Sequence, residues 1–409
     1  MAAVFRLGIF RIVNNNAANK LLSNTSDLKV PIRGIAGKAL RCVESSPPKP
    51  APWPYKTKRY TLLNYVYDKT TPRFDQNSKI IVVEGPIAAG KTKLAKELAE
   101  DLDMLYMPEA NLDMMYVNDY GFNLKELDPQ LPESCRSFDI KDFLNNPRHR
   151  LTATFQLKQY VVKYSQYIDA LAHVFSTGQG VILDRCVYSD FVFMEAMFRQ
   201  GFLSKGARSV YYDLRKNTLN ELLRPHLVIY LHVPIDKVQE KIKQRNNSVE
   251  VKSSALTPAY LKVMEDKYKQ NYLKDISVHS ELLVYDWSDA AEVEVVVEDI
   301  ERIDFTRYDK QDLKMKDWVY YLEEEWAVLR HTYADKKDNL MMNINIPRFD
   351  VPELITEAED ARIAREVIRN APGMEYQYGY NPNMGDSGLL FKVGMRHRHT
   401  LPLIERKFP

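Results

Sequence analysis

The sequence predicts an α/β fold with a doubly wound parallel sheet, and three observations lead to this prediction. Short apolar runs recur along the middle of the chain, stretches with helical spacing of apolar residues separate them, and a glycine-rich phosphate-binding pattern follows the first run. Runs that are apolar throughout are typical of strands buried on both faces of a parallel sheet. Ligands in such folds bind at the carboxyl ends of the strands, so the residues there are candidates for function.

Expected strands and helices alternate from residue 79 to residue 286. Strands are expected at 79–84, 104–107, 181–184, 227–233 and 281–286. One helix should follow the phosphate-binding pattern, and others are expected at 148–177, 187–200, 234–246 and 258–273. Thr257 and Pro258 give the last of these helices a capping residue and a first-turn proline.

The phosphate-binding pattern, GxxxxGKT at 85–92, lies between an expected strand and an amphipathic helix. The residues expected to bind phosphate are Gly85, Ala88, Ala89, Gly90, Lys91 and Thr92. Backbone N–H groups and the positive end of the helix can surround a polyphosphate, while Lys91 adds charge and the Thr92 hydroxyl ligates Mg²⁺. The alternative is a glycine-rich turn that binds nothing, which the strand-loop-helix context disfavours.

Charged residues follow two of the expected strands. Asp184 and Arg185 end the third strand, and Glu109 follows the second. Asp184 could hold Mg²⁺, Arg185 could steady a transferring phosphate, and Glu109 is placed to act as a general base. A single carboxylate at a strand end is as readily explained by solvation on the surface. Three such residues around one phosphate loop favour a phosphoryl-transfer site.

Composition excludes several other classes of function. The net charge of +2 gives no electrostatic argument for nucleic-acid binding. No apolar run approaches the roughly 18 residues that span a bilayer, so the protein is expected to be soluble or peripheral to a membrane. The cysteines (Cys42, Cys135 and Cys186) form no CxxC pair, and no motif for flavin, haem or an iron–sulfur cluster is present. His397 and His399 suggest a metal site, but in an arginine-rich tail they are more simply explained as solvated.

The first 78 residues differ from the rest of the chain. Residues 1–45 contain seven basic and two acidic residues, and residues 5–12 can form a basic amphipathic helix. This composition is typical of a mitochondrial transit segment, with a disordered tail as the alternative. Its removal would change the net charge from +2 to −3. Residues 46–78, which begin with a proline-rich run, are expected to form an extended connector to a domain at 79–304.

Residues 305–409 lack the alternating pattern. Five apolar residues at spacings of four and three predict one amphipathic helix (Met315, Val319, Leu322, Trp326 and Leu329). A second helix is expected at 351–370 with Asp350 as its cap, followed by a strandless stretch at 371–388 and a basic end. Because this extension cannot bury itself, it should lie on another surface, and contact with partner subunits is favoured over contact with the core domain.

Residues 79–275 resemble the deoxynucleoside kinase family. The resemblance rests on the phosphate loop, Pro108-Glu109, Phe155-Gln156, the run from Asp184 to Asp190 (DRCVYSD), and the run from Lys241 to Arg245 (KIKQR). It implies that Glu109 is the catalytic base, that Arg185 lies near the 5′-hydroxyl, and that Gln156 hydrogen-bonds the nucleobase. It further implies that Asp190, with Lys163, tunes the base preference towards a purine, and that 241–245 belongs to a lid helix.

Departures from the family pattern argue against rapid turnover. Ala88 replaces the usual second glycine of the loop, Cys186 replaces a serine, and Met114 stands where an aromatic residue is expected. Of the lid arginines only Arg245 remains, and lysine or asparagine occupies the other positions (Lys241, Lys243 and Asn247). Lysine cannot grip a phosphate with two parallel hydrogen bonds as arginine does, so stabilisation of the transition state should be weak.

A longer set of motifs resembles the kinase-like accessory subunits of mitochondrial respiratory complex I. The motifs include PWP at 52–54, YMPEA at 106–110, STGQGV at 176–181 and YSDFVF at 188–193. The resemblance implies a non-catalytic role in assembly or stability, other complex I subunits as partners, a peripheral position on the matrix side of the inner membrane, and redox centres in other subunits. The prediction is thus an accessory subunit with a pocket for a purine (deoxy)nucleotide and Mg²⁺. The alternative is an active mitochondrial deoxynucleoside kinase.

Overall fold

A parallel sheet lies at the centre of the computed structural model, which describes residues 12–13, 34–41, 49–289 and 292–387. Its strands are β1 (Ile12–Val13), β2 (Ile80–Glu84), β3 (Leu105–Met107), β4 (Val181–Asp184), β5 (Leu227–His232) and β6 (Glu281–Asp286), in the spatial order β1-β6-β5-β2-β4-β3. The expected strands are confirmed to within a residue or so, and β2, β4 and most of β5 are buried. The chain leaves β2 towards β4 and β3 and later returns on its other side, which creates a crevice at the carboxyl end of β2.

Helices cover both faces of the sheet. Their bounds are α1 (Lys38–Arg41), α2 (Lys91–Leu102), α3 (Asp113–Tyr116), α4 (Ile140–Asn145), α5 (Thr152–Thr177), α6 (Phe191–Arg199), α7 (Lys205–Leu219), α8 (Ile235–Arg245), α9 (Ser248–Val251), α10 (Pro258–Lys267), α11 (Leu273–Ser277), α12 (Val293–Glu301), α13 (Glu323–Asp335), α14 (Lys337–Met342) and α15 (Ala358–Arg369). A π-helical turn, Tyr268–Tyr272, joins α10 to α11, so the helix expected at 258–273 is confirmed with an irregular centre. Several helices were not predicted, and the longest of these are α7 and α12.

The single helix expected from Met315 to Leu329 is wrong. Met315 has a positive φ of 57°, which no helix interior accepts, and it precedes a short 3₁₀ turn at Lys316–Trp318. Helix α13 begins only at Glu323, so the five apolar residues do not share one helical face. Trp326 packs edge-on against Phe74 at a centroid distance of 5.2 Å.

Asp350 does not cap the next helix. Its carboxylate accepts hydrogen bonds from Arg348, at 2.8 Å each, and a 3₁₀ turn at Pro352–Leu354 follows. Helix α15 begins at Ala358. The stretch that follows, as far as residue 387, contains turns and no strand, as expected.

The described part of the C-terminal extension packs on its own domain. Helix α13 lies along α5, and Trp326 and Tyr333 join the main core. Lys337 forms a buried ion pair with Asp169 of α5, with 2.6 Å between Nζ and the carboxylate. These residues therefore contact the core domain, which was the less favoured of the two expectations. Contact with a partner subunit is not needed to bury them.

The connector expected at 46–78 is extended only in part, because it contains 3₁₀ turns at Asn64–Val66 and Thr71–Arg73, and it packs on the domain. Trp53, Tyr55 and Tyr60 are buried, and the backbone N–H of Trp53 donates to the carbonyl of Ser176 at the end of α5. The helix expected at 5–12 lies outside the described residues except at Ile12, which belongs to β1. His397 and His399 also lie outside them. Among the described residues, no helix is both long and apolar enough to cross a bilayer.

Candidate functional site

A cavity of about 800 Å³ opens at the carboxyl ends of the central strands, where the switch in strand order predicts a ligand site. The predicted site residues that line it are Ala88, Gly90, Lys91, Thr92, Glu109, Gln156, Arg185, Asp190 and Arg245. Gly85, Ala89 and Asp184 belong to the same loop and strand end without lining the cavity. The structure therefore brings these residues together at one cavity, while their roles stay predictions.

The phosphate loop has the backbone shape that its glycines require. Gly85 has a φ of 151°, and a Cβ there would lie 2.7 Å from the carbonyl oxygen of Leu231. Gly90 has a φ of 87° at the start of α2. Ala88 also adopts a left-handed conformation, with a φ of 58°, which costs an L-residue about 1–2 kcal/mol. The loop thus retains its fold at a position where glycine would be unstrained.

Lys91 is buried at the base of the loop. Its Nζ donates to the carbonyl oxygen of Pro86 at 2.8 Å. Burial lowers the pKa of Lys91 to about 8, and the positive charge of Arg185 adds to this effect. An anionic ligand in the loop would favour the protonated lysine and reverse this shift.

Thr92 and Asp184 are placed as a cation site requires. The Thr92 hydroxyl donates to Oδ2 of Asp184, and Oδ1 of Asp184 is buried without a hydrogen-bond partner among the described residues. An unsatisfied carboxylate oxygen beside a hydroxyl fits Mg²⁺, which binds proteins through one or two such groups and completes its shell with phosphates and water. Among the described residues, no group of three or more His, Cys, Asp or Glu side chains could hold a metal by itself.

Arg185 joins the general-base candidate to the phosphate loop. Its Nη1 contacts both carboxylate oxygens of Glu109 at 2.6 Å, and its Nη2 donates to the carbonyl oxygen of Gly85 at 3.0 Å. Burial alone would raise the pKa of Glu109, but Arg185 and Lys91 outweigh it and hold that pKa at about 2. Glu109 is therefore an ionised but very weak base.

Asp190 is the centre of a polar cluster at the other end of the cavity. Its carboxylate accepts from Lys163 at 2.7 Å, from the Gln156 amide at 2.8 Å and from the Tyr211 hydroxyl at 2.9 Å, and it is fully buried. Because three donors saturate it, Asp190 fixes Gln156 and Lys163 in place. The ring of Phe193 lies 4.7 Å from Nζ of Lys163 and supplies an apolar wall.

Sequence reasoning missed three residues of this site. Tyr211 lies on α7, which was not predicted, because Gly206 and many polar residues dilute the apolar stripe of that helix. Phe193 had no signal beyond its place in an apolar helix. Glu84 ends β2 as a lone acid in an apolar run, and it accepts from the backbone N–H of Cys186 at 3.2 Å and from Tyr268 at 3.1 Å. Burial raises its pKa, and its hydrogen bond to the backbone of Cys186 positions the residue next to Arg185.

Two cations of the expected lid helix, α8, are engaged by the protein itself, and Lys243 of the same helix is exposed. Arg245 ends the helix and pairs with Glu250, with 2.9 Å between Nη1 and the carboxylate. Nζ of Lys241 donates to the carbonyl oxygen of Trp287 at 2.8 Å. Met114 is buried in α3 and does not line the cavity. The phosphate loop thus keeps its expected shape, while Arg245 and Lys241 are held by contacts within the chain.

One family of known proteins matches the part of the chain that contains the phosphate loop and the cavity. The family model of the deoxynucleoside kinases matches residues 81–322, which is more than half of the chain. The chain belongs to the deoxynucleoside kinase family. The family resemblance, the fold class and the phosphate loop are thereby consistent with one another.

Two relatives within this family differ in kind. The chain is 37% identical to the mouse (Mus musculus) protein named NADH dehydrogenase [ubiquinone] 1 alpha subcomplex subunit 10, mitochondrial, over 82% of this chain and 90% of that protein. It is 27% identical to a deoxyguanosine kinase of Dictyostelium discoideum, over 58% of this chain and 73% of that protein. A solved structure of deoxyadenosine kinase from M. mycoides with bound dATP aligns with a TM-score of 0.40 at 21% identity, covering 54% of this chain and 96% of the other.

Proposed function

We propose that this protein is a non-catalytic accessory subunit of mitochondrial respiratory complex I whose kinase-like pocket retains a nucleotide. The observation that carries the proposal is the similarity to the mouse complex I subunit, which extends over nine-tenths of that protein and 82% of this chain. Similarity to the Dictyostelium kinase is lower and covers little more than half of the chain. The protein would lie on the matrix side of the inner membrane, peripheral to it, in contact with other subunits of the complex.

The pocket supports retention of a nucleotide. The loop at 85–92 would bind the phosphates, with Lys91 as the nearest cation, and Thr92 and Asp184 would hold Mg²⁺ between the protein and the phosphates. Gln156, fixed by Asp190, would meet the edge of a purine base. Nothing in this arrangement requires the nucleotide to be consumed.

Three features of the same pocket oppose phosphoryl transfer. Glu109, with a pKa of about 2, has little tendency to take a proton from a hydroxyl. Arg245 is paired with Glu250 and Lys241 with a carbonyl group, so neither is free to neutralise charge on a transferring phosphate. The alternative function is an active deoxynucleoside kinase. It is supported by four residues that match functional positions of the family (Lys91, Thr92, Glu109 and Arg185).

A cellular experiment separates the two functions. Depletion of the protein should lower the amount of assembled complex I, and the wild-type chain should restore it. The variant Glu109→Gln, which keeps the size of the side chain and removes the base, should restore assembly equally well. If this variant fails to rescue while remaining folded, or if the purified protein phosphorylates purine deoxynucleosides at about 1–100 s⁻¹, the accessory-subunit proposal is wrong in favour of the kinase.

A further inference from the structure

A short segment near the N-terminus, 34–37 (Gly-Ile-Ala-Gly), is inserted into the folded domain. The side chain of Ile35 is 1% exposed and that of Ala36 is 4% exposed, and Ile35 belongs to the main hydrophobic core. The segment lies between the end of α2 and the end of α12. It is near the amino-terminal end of β2, whereas the cavity lies at the carboxyl ends of the strands. It has nothing to do with the phosphate loop, and its burial is independent of any ligand.

Asn77 holds this segment as a neighbouring strand would. Its side-chain oxygen accepts from the backbone N–H of Ala36 at 2.8 Å, and its Nδ2 donates to the carbonyl oxygen of the same residue at 2.8 Å. The same Nδ2 also donates to the carbonyl oxygen of Leu102 at the end of α2. Asn77 is itself 6% exposed. If the segment were absent, a buried amide would lose two of its three hydrogen bonds.

The two glycines fit the segment closely to α12. A Cβ on Gly34 would lie 2.6 Å from the carbonyl oxygen of Glu301, and a Cβ on Gly37 would lie 2.6 Å from its side-chain Oε1. The backbone N–H of Gly37 donates to that same Oε1 at 2.7 Å. Larger residues could not take this path, so the contact is specific to this sequence.

We propose that residues 34–37 are a permanent part of the folded domain, and that the leader expected at 1–45 is cut before Gly34. This refinement rests on the proposed mitochondrial location. A cut at residue 45 would remove Ile35 from the core and leave Asn77 unsatisfied, whereas a cut before Gly34 removes neither. The mature chain would then keep Lys38 and Arg41, and its net charge would be −2. The strand β1 would leave with the leader, and the sheet would end at β6.

The first test is the mass of the N-terminal peptide of the mature protein isolated from its assembly. A mature chain that starts at or before Gly34, but after residue 13, supports the proposal. A start at Ile35 or later would overturn it, because residues 34–37 would then not be kept whole. A chain that begins anywhere from residue 1 to residue 13 would overturn the proposed cut, while the proposed location would stand.

The second test does not depend on location. In the purified full-length chain, Ile35→Asp and Asn77→Ala should each lower the melting temperature by at least about 3 °C, since each damages a buried contact. Leu63→Asp is the matched control, because Leu63 is 81% exposed and its replacement should leave the melting temperature within about 1 °C. If both Ile35→Asp and Asn77→Ala melt like the wild type, the segment is not part of the fold and the proposal fails.

Discussion

The guanidinium of Arg245 donates to the carboxylate of Glu250 across 2.9 Å, so the one arginine that remains in the lid helix is held by an acid of its own chain. Both residues line the nucleotide cavity. A carboxylate is a geometric substitute for a phosphate oxygen, and it must be displaced before Arg245 can bind a nucleotide. This pairing weakens the lid beyond what the loss of the other arginines already does.

Removal of the competing acid should therefore strengthen nucleotide binding. Glu250→Gln is expected to raise the affinity for a purine nucleoside triphosphate about two- to fivefold, the range that a partly exposed ion pair allows. Isothermal titration with Mg-dATP would measure it. Glu240→Gln is the matched control, since Glu240 lies on the same helix and pairs only with exposed Lys237. An affinity that is unchanged or lower in Glu250→Gln would show that Glu250 and the nucleotide do not compete for Arg245.

Lys91 should dominate retention of the nucleotide. Lys91→Ala is expected to weaken nucleotide binding about 10- to 100-fold, because hydrogen bonds to charged groups contribute about 1.5–3 kcal/mol. Nucleotide released from the purified protein by denaturation, quantified by mass spectrometry, would report the loss. Lys262→Ala serves as the control, since that side chain is 58% exposed, pairs with Glu265 and Asp266, and does not line the cavity. Equal nucleotide content in the wild type and in Lys91→Ala would exclude the loop as the binding site.

Nucleotide binding should take up a proton above neutral pH. The pKa of Lys91 lies at about 8 without ligand, and a bound polyphosphate raises it, so the lysine is charged in the complex. Below pH 7 the lysine is already protonated and affinity should be flat. As pH rises through about 8, affinity should fall, up to tenfold per pH unit, until the pKa of the complex is reached. Calorimetry at pH 9 in buffers of different ionisation enthalpy should detect the uptake of nearly one proton per bound nucleotide. The Lys91→Ala protein should not show this proton uptake.

The C-terminal extension should contribute to the stability of the domain itself. Lys337→Ala leaves Asp169 charged and buried, and is expected to lower the free energy of unfolding by about 3–5 kcal/mol. The double variant Asp169→Leu with Lys337→Met should recover most of that loss. Lys336→Ala is the control, because its side chain is exposed. Denaturant unfolding would decide between these outcomes, and a Lys337→Ala protein as stable as the wild type would mean that the extension is only loosely attached.

The sequence predicted the sheet and the phosphate loop well, because their signals are local. Strand β2, the loop and α2 form one continuous pattern, and short-range rules govern each part. The polar cluster was predicted in part. Asp190, Gln156 and Lys163 were recognised from the family pattern, whereas Tyr211 reaches Asp190 from a helix with too weak an apolar stripe to be detected.

The C-terminal extension was predicted poorly, because its conformation depends on distant contacts. The spacing from Met315 to Leu329 is helical, but Met315 takes a left-handed backbone and its N–H bonds to His279 of the domain. Trp326 and Tyr333 fill the surface of α5, which no local pattern reveals. The pairing of Arg245 with Glu250 likewise depends on how the end of α8 and the following helix α9 meet.

Arg330 stacks on Tyr60 at 3.7 Å and binds Asp68, 262 positions earlier in the chain. A ribosome must therefore finish most of the polypeptide before either partner is satisfied. Until then the apolar flank of α5 is exposed to solvent, and a nascent chain released early would be prone to aggregate. Under the proposed function the chain enters the mitochondrial matrix unfolded, and the last helices would then cover the flank of α5 only after import is complete.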